Sequence, residues 1–201
     1  MIHIMRKQTG TSRAAAKEAT HERIVEVAAR AIRRSGYDGT GVADLMKEAG
    51  LTHGAFYAHF SSREAMLAEA ASCAFAQSAA ALARVTMSVP PEDALASLLA
   101  AYLSKTHQEQ VATGCPLAAL GSETARQIPD VRRVATRHVK EVIDLVARLS
   151  PDWGQSGAHQ RALVTVSTMV GALLLARAVD DQHLSDSLRE AALQHLTPPH
   201  G

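Results

Sequence analysis

Apolar residues recur at helical spacing along most of the chain. Ile24, Val27, Ala28, Ala31 and Ile32 fall at i, i+3, i+4, i+7 and i+8, one face of a helix. Thr20 is a candidate cap for it, or Ser12 if the helix starts earlier. Arg33 and Arg34 sit in its last turn, where cations suit the dipole, and Gly36 supplies a left-handed stop. Two short pieces follow the turn at Tyr37-Asp38-Gly39-Thr40. Val42, Leu45, Met46 and Ala49 line one face of the first, which Gly50 ends. Thr52 begins the second, which runs to His59 with Ala55, Phe56 and Phe60 inward. Ser61-Ser62-Arg63-Glu64 then starts a long helix to about Val85, with Met66, Leu67, Ala70, Ala74 and Phe75 on its apolar face.

The remainder is also helical in pattern. Pro91 suits the first position of a helix carrying Leu95, Leu98, Leu99 and Leu103. Gly114-Cys115-Pro116 and Ile128-Pro129-Asp130 read as two further starts. Ser150 to Gly157 is a loop, and 158–179 and 184–196 are the last two helices. No segment sustains strand alternation. The fold expected is all-α, with about nine helices: an N-terminal three-helix unit and a C-terminal helical bundle. Residues 1–19 read as a basic, flexible arm, 20–66 as the first unit and 67–201 as the second. The last residues, from Pro198, read as a frayed tail.

Composition narrows the class. A chain of 201 residues is long enough for a real core. With 47% apolar and 20% charged residues it is not disordered. Only 3% aromatic residues beside 38 alanines favour closely packed helices over a sandwich or barrel. The net charge of +1 taken alone argues against a polybasic nucleic-acid binder, yet it hides a division. Residues 1–34 carry 8 Lys and Arg against 3 Asp and Glu, whereas residues 71–201 carry 11 against 12. Attraction for phosphate is therefore concentrated near the N-terminus.

Cys73 and Cys115 are too few for a disulfide framework and read as free thiols in a reducing compartment. The first residues lack the apolar core of a signal peptide. The uncharged stretch Ala162–Ala176 is short for a bilayer span. A cytoplasmic protein without a membrane partner is expected. Ten histidines form no HExxH pair, the cysteines lie far apart, and no nucleophile–base set stands out. Gly36, Gly39 and Gly41 follow a helix and lack the lysine of a phosphate loop. No metal, no cofactor and no catalytic residue is expected.

The chemistry lies between Tyr37 and Leu67. Two short amphipathic helices meet at Ala49-Gly50-Leu51, the Gly-containing turn a helix-turn-helix needs. The second leaves Thr52, His53, Gly54, Tyr57 and His59 on or near its free side. Small, polar, hydrogen-bonding residues suit a helix entering the major groove. At Asp38-Gly39-Thr40, Ala49-Gly50-Leu51-Thr52, Phe56-Tyr57-Ala58-His59-Phe60 and Arg63-Glu64-Ala65-Met66-Leu67 the sequence resembles the tetracycline-repressor (TetR) family of bacterial transcriptional regulators.

The resemblance implies a three-helix DNA-binding domain and a larger helical domain that binds a small effector and dimerises through its last two helices. It places Thr40, Thr52, His53, Gly54, Tyr57, His59 and Arg63 at DNA-contacting positions. Tyr57 and His59 would reach phosphates, Thr52 and His53 would face base edges, and Arg63 replaces the usual Lys. Gly41 departs from the usual Ser or Thr, so the helix after it lacks a side-chain cap. Met46 stands where many members have a small Ala. The implied partners are duplex DNA, a second copy of the chain and a small-molecule effector. The implied function is a repressor on a pseudopalindromic operator, released by an inducer.

Three further expectations concern the C-terminal part. Cys115 stands at a helix start, where amide dipoles favour a reactive thiolate, so a thiol-reactive inducer is one reading and a buried structural thiol another. Tyr102, Phe75 and Trp153 are scarce aromatics that suit an apolar effector pocket. Leu163, Val166, Met169, Val170, Leu173, Leu174, Leu188 and Ala192 form a stripe suited to a four-helix dimer interface. Two alternatives stay open: a helical enzyme using Cys115 or a histidine, and a DNA-binding activator without an effector.

Overall fold

A computed structural model describes residues 5–197, with side chains from Arg13 onward. Among these residues the chain forms nine α-helices, two short 3₁₀ helices and no strand. In order these are α1 (Met5–Ser35), α2 (Val42–Glu48), a 3₁₀ helix His53–Ala58 and α3 (Arg63–Met87). A 3₁₀ turn Pro91–Asp93 leads into α4 (Ala94–Tyr102) and α5 (Lys105–Glu109). The last four are α6 (Pro116–Thr124), α7 (Pro129–Leu149), α8 (Ala158–Ala178) and α9 (Gln182–Leu196). The all-α class with an N-terminal helix-turn-helix is as expected.

Side-chain chemistry explains the starts. Ser62, Ser104 and Asp181 each accept a hydrogen bond from the backbone N–H three residues on, at 3.1 Å in every case. Pro116 and Pro129 open α6 and α7, where a missing N–H does no harm. Gly41 gives α2 no side-chain cap, as its identity requires.

Two apolar clusters hold the helices together. The first joins Ile24, Ala28 and Ile32 of α1, Leu45 and Met46 of α2, and Phe56 and Phe60. To these it adds the first half of α3, Leu120 of α6, and Val131 and Ala135 of α7. The second joins Leu82, α4, Cys115 and Ala118 of α6, and buried faces of α7, α8 and α9. Thus α3, α6 and α7 each belong to both clusters. The DNA-side and C-terminal helices share these three helices as beams, so they cannot shift independently of them.

Three details differ from the sequence reading. Among the described residues the expected arm is helical: α1 runs from Met5 through the Ala14-Ala15-Ala16 run, the strongest helix former available. Arg13 and Lys17 are exposed on that extension. Thr20 is not a cap; its hydroxyl donates to Ala16 O at 2.8 Å inside the helix. The single helix expected after Pro91 divides into three pieces, because Ser104 caps a new turn. Arg6, Lys7 and the tail from Pro198 lie outside the residues whose side chains are described.

α3 and α8 are long and apolar enough to cross a membrane. α3 directs Met66, Leu67, Ala70, Ala74 and Phe75 into the protein. α8 leaves Val164 and Leu175 exposed.

Candidate nucleic-acid interface and the cleft beyond it

The interface is built on a stack of rings. Phe56 and Phe60 are buried and stack with centroids 5.3 Å apart, anchoring the 3₁₀ helix to α1 and α2. The turn before it needs Gly50, whose φ of +71° is strained for other residues. With Phe56 held inward, Thr52, His53, Gly54 and Tyr57 face solvent. Tyr57 is 70% exposed, against 2% and 4% for Phe56 and Phe60. His53 meets its edge at 5.9 Å. An exposed tyrosine flanked by small polar groups offers a phosphate donor without apolar bulk.

The segment expected as a short α-helix is 3₁₀ instead. Six residues pinned by two stacked phenylalanines form a tighter turn, and Thr52 makes no side-chain cap.

Two expected DNA contacts point elsewhere. Thr40 is 4% exposed, and its hydroxyl donates to Gly36 O at 2.8 Å. Arg63 turns back toward the α1–α2 turn: its Nη2 donates to Tyr37 O, and to Thr40 O at 3.4 Å. Both residues brace the turn. His59 is half-buried, and its Nδ1 has no partner. Burial pushes its pKa below the ordinary histidine value, and nearby His21 and Lys17 push the same way against Glu18. It therefore offers a neutral ring at neutral pH.

His21 is a site residue that sequence reasoning missed. It stacks on Phe60 at 4.6 Å, and its Nε2 lies 2.6 Å from Glu69 Oε2. It ties α1 to α3 across the ring stack. Arg34 ties α1 to α2 through Glu48 at 3.0 Å. Neither pair is local in sequence, and no motif marks them.

A model of bacterial regulatory proteins of the tetR family matches residues 24–70, which include Thr52 to Arg63. A second, the C-terminal domain of LmrA/YxaF-like transcriptional regulators, matches residues 91–193. The chain belongs to the TetR family. It is 32% identical over 177 residues to an HTH-type transcriptional regulator of Mycobacterium tuberculosis strain H37Rv, covering 80% of this chain and 85% of that one. A TetR regulator from Chloroflexus aurantiacus J-10-FL shares the fold at 24% identity and a TM-score of 0.77, covering 92% of this chain and 97% of that one. NemR of E. coli, in its reduced form, shares it at 23% identity and a TM-score of 0.73, covering 89% and 95%. The protein is thus a DNA-binding transcriptional regulator, not an enzyme.

In this TetR-family chain a cleft of about 350 Å³ opens among α3, α4 and the segment from Ser104 to Cys115. Tyr102 and Cys115 are among the residues that line it. Phe75 does not: it is buried in the first cluster against His138, ring centroids 4.9 Å apart. Trp153 is 58% exposed and also lies away from it. His107 is fixed by both nitrogens: Nδ1 lies 2.6 Å from Tyr102 O, and Nε2 accepts from the Cys115 N–H at 2.9 Å. Nδ1 must then carry the proton. Burial lowers its pKa, with Tyr102 O opposing, so the neutral ring persists.

Arg33, which is buried, and Arg177, which is half-buried, both bond to this segment. Arg33 of α1 donates to Gln77 Oε1 at 2.7 Å and reaches Ala74 O and Gly114 O at 3.4 and 3.5 Å. Arg177 of α8 donates to His107 O and Gln108 O at 2.7 and 3.1 Å. A Cβ on Gly114 would lie 2.8 Å from the Arg177 guanidinium and 2.9 Å from Gln110 O, so only glycine allows this approach. A further tie runs from the Tyr37 N–H to Glu123 Oε2 of α6 at 2.9 Å.

The expected dimer stripe divides. Val166, Met169, Leu173 and Ala192 are buried within the chain and belong to its own core. Leu163, Val170, Leu174 and Leu188 are half-buried. The exposed apolar residues on these helices are Val164 and Leu175 of α8 and Leu184 of α9.

Proposed function

We propose that this regulator is an effector-responsive repressor that binds a pseudopalindromic operator as a homodimer. Thr52, His53, Gly54 and Tyr57 read the major groove from each subunit. His59 adds a neutral donor, and α1 adds Arg13 and Lys17 near the phosphates. Tyr57, the exposed ring over a buried stack, supports this reading most. α8 and α9 form the dimer contact through the exposed Val164, Leu175 and Leu184, with half-buried Leu163, Val170, Leu174 and Leu188 at its border. The assembly works in the cytoplasm.

The effector occupies the cleft lined by Tyr102 and Cys115. Its state reaches DNA because the cleft wall is fastened to α1 by Arg33 and α6 to the turn after α1 by Glu123, the elements on which the reading residues pack. An occupant that displaces the wall shifts the spacing of the two reading surfaces, in proportion to its preference for the displaced state. Cys115 supplies a nucleophile at this wall, where a thiol-reactive inducer acts. A relative in fold, NemR, is described in a reduced form.

The test is fluorescence anisotropy with duplex DNA adjoining the protein's own gene, before and after N-ethylmaleimide. Release from DNA is expected for wild type and for Cys73→Ser, and its loss for Cys115→Ser. Undiminished release from Cys115→Ser would contradict the role of this thiol.

A further inference from the structure

The lining of the cleft is uneven in charge. Among its described lining residues are Arg84 and the hydroxyls of Ser78, Tyr102, Ser104, Thr106 and Thr113, but no carboxylate. Its apolar wall comes from Ala81, Leu82, Val85 and Ala101. Tyr102 is 3% exposed, and among the described residues its hydroxyl has no partner better than the weakly hydrogen-bonding Cys115 thiol. An unpartnered buried hydroxyl is costly, by about 1–3 kcal/mol, unless something else accepts from it. The Cys115 thiol lies beside it. Burial raises the Tyr102 pKa well above its ordinary value, so the phenol keeps its proton and can donate.

The surroundings have the same sign. Arg33 and Arg177 stand behind the wall, bonded to carbonyls and to Gln77, with no carboxylate partner among the described residues. Each keeps a buried nitrogen without a partner, Nε of Arg33 and Nη1 of Arg177. His107 adds no charge, since both its ring nitrogens are already engaged. The buried Arg33, and to a lesser degree the half-buried Arg177, raise the potential nearby, since neither has a counter-charge among the described residues. A cationic effector would meet repulsion here. An anion would meet a free donor and a positive field.

We infer that the cleft takes a small organic monocarboxylate, its carboxylate accepting from Tyr102 and its apolar body against Leu82 and Val85. This deepens the effector role proposed above and rests on it. The size agrees, since about 350 Å³ lies at the small end of ligand sites. Tyr102 supplies the directional bond, and Arg84, exposed in the lining, adds long-range attraction.

The experiment is isothermal titration of the full-length protein with benzoate, hexanoate, benzamide and benzylammonium. At least one carboxylate should bind, benzoate more tightly than benzamide, and benzylammonium not measurably. Tyr102→Phe should weaken carboxylate binding about tenfold or more while leaving the urea midpoint near wild type. Arg84→Gln should lower the affinity less and reduce its dependence on salt. Should Tyr102→Phe fail to fold, the charge series on wild type decides alone. Equal or tighter binding of benzylammonium, or no binding by either carboxylate, overturns the assignment. Carboxylate binding that leaves DNA affinity unchanged upholds the ligand class and instead contradicts the effector role.

Discussion

Replacing Arg63 by alanine separates two roles for the residue that begins α3. As a phosphate contact, its loss would leave the free protein's stability alone. It would lower the slope of log affinity against log salt by about 0.9. As a brace, its guanidinium satisfies the carbonyls of Tyr37 and Thr40, in a turn whose Tyr37 side chain is fully buried. A hydrogen bond from a charged donor contributes about 1.5–3 kcal/mol. Arg63 is half-buried and its bond to Thr40 is long at 3.4 Å, so the low end applies, about 1.5–2 kcal/mol. For a chain of this size that lowers Tm by roughly 3–8 °C. The assay is thermal and urea unfolding without DNA, beside anisotropy at several salt concentrations. Arg63→Lys should recover only part of the stability, because an ammonium lacks the guanidinium fork. An unchanged Tm for Arg63→Ala, with a reduced salt slope, would refute the bracing role.

Other perturbations test other parts of the account. Glu123→Ala leaves the Tyr37 N–H without its acceptor and should cost about 1–3 kcal/mol in urea unfolding; Glu123→Gln keeps an acceptor oxygen and should cost less. Burial lowers the pKa of His138 to about 4, so the native state favours its neutral form. Its contribution is therefore complete above the unfolded value near 6.5 and is lost as pH falls from there to about 4. The difference is about 3 kcal/mol at most, and unfolding curves of wild type against His138→Leu should show that pH dependence only in the former. Leu175→Glu places a charge on the exposed apolar face of α8 and should yield monomers in sedimentation velocity; an intact dimer would remove α8 from the interface.

The helices were legible where periodicity and punctuation agree. Ser62, Pro116 and Pro129 start α3, α6 and α7 as their chemistry predicts, and the helix-turn-helix follows from Gly50 and the two phenylalanines. The exposure of Thr52, His53 and Tyr57 was legible too, because burying Phe56 leaves them outside. Directions of side chains at bends were not. Thr40 and Arg63 match a DNA-contacting pattern in sequence, yet a turn only becomes a receptor for them once α1 and α3 pack together. Spacing alone could not separate the two faces of α8, since Val164 and Val166 are equally apolar but only one meets α7 and α9. The ties between the N-terminal helices and the rest of the chain are the least local. Arg33 and Gly114 are 81 positions apart, and Tyr37 and Glu123 are 86 apart.

The central claim is that the exposed surface from Thr52 to Tyr57 recognises a specific duplex. Selection from a random duplex pool, followed by anisotropy on the enriched sequence, tests it most directly. Wild type should enrich a two-fold symmetric site with an affinity that falls steeply with salt. Tyr57→Ala should bind that site at least about tenfold more weakly at an unchanged urea midpoint. Enrichment of no sequence, or wild-type affinity for Tyr57→Ala, would contradict it.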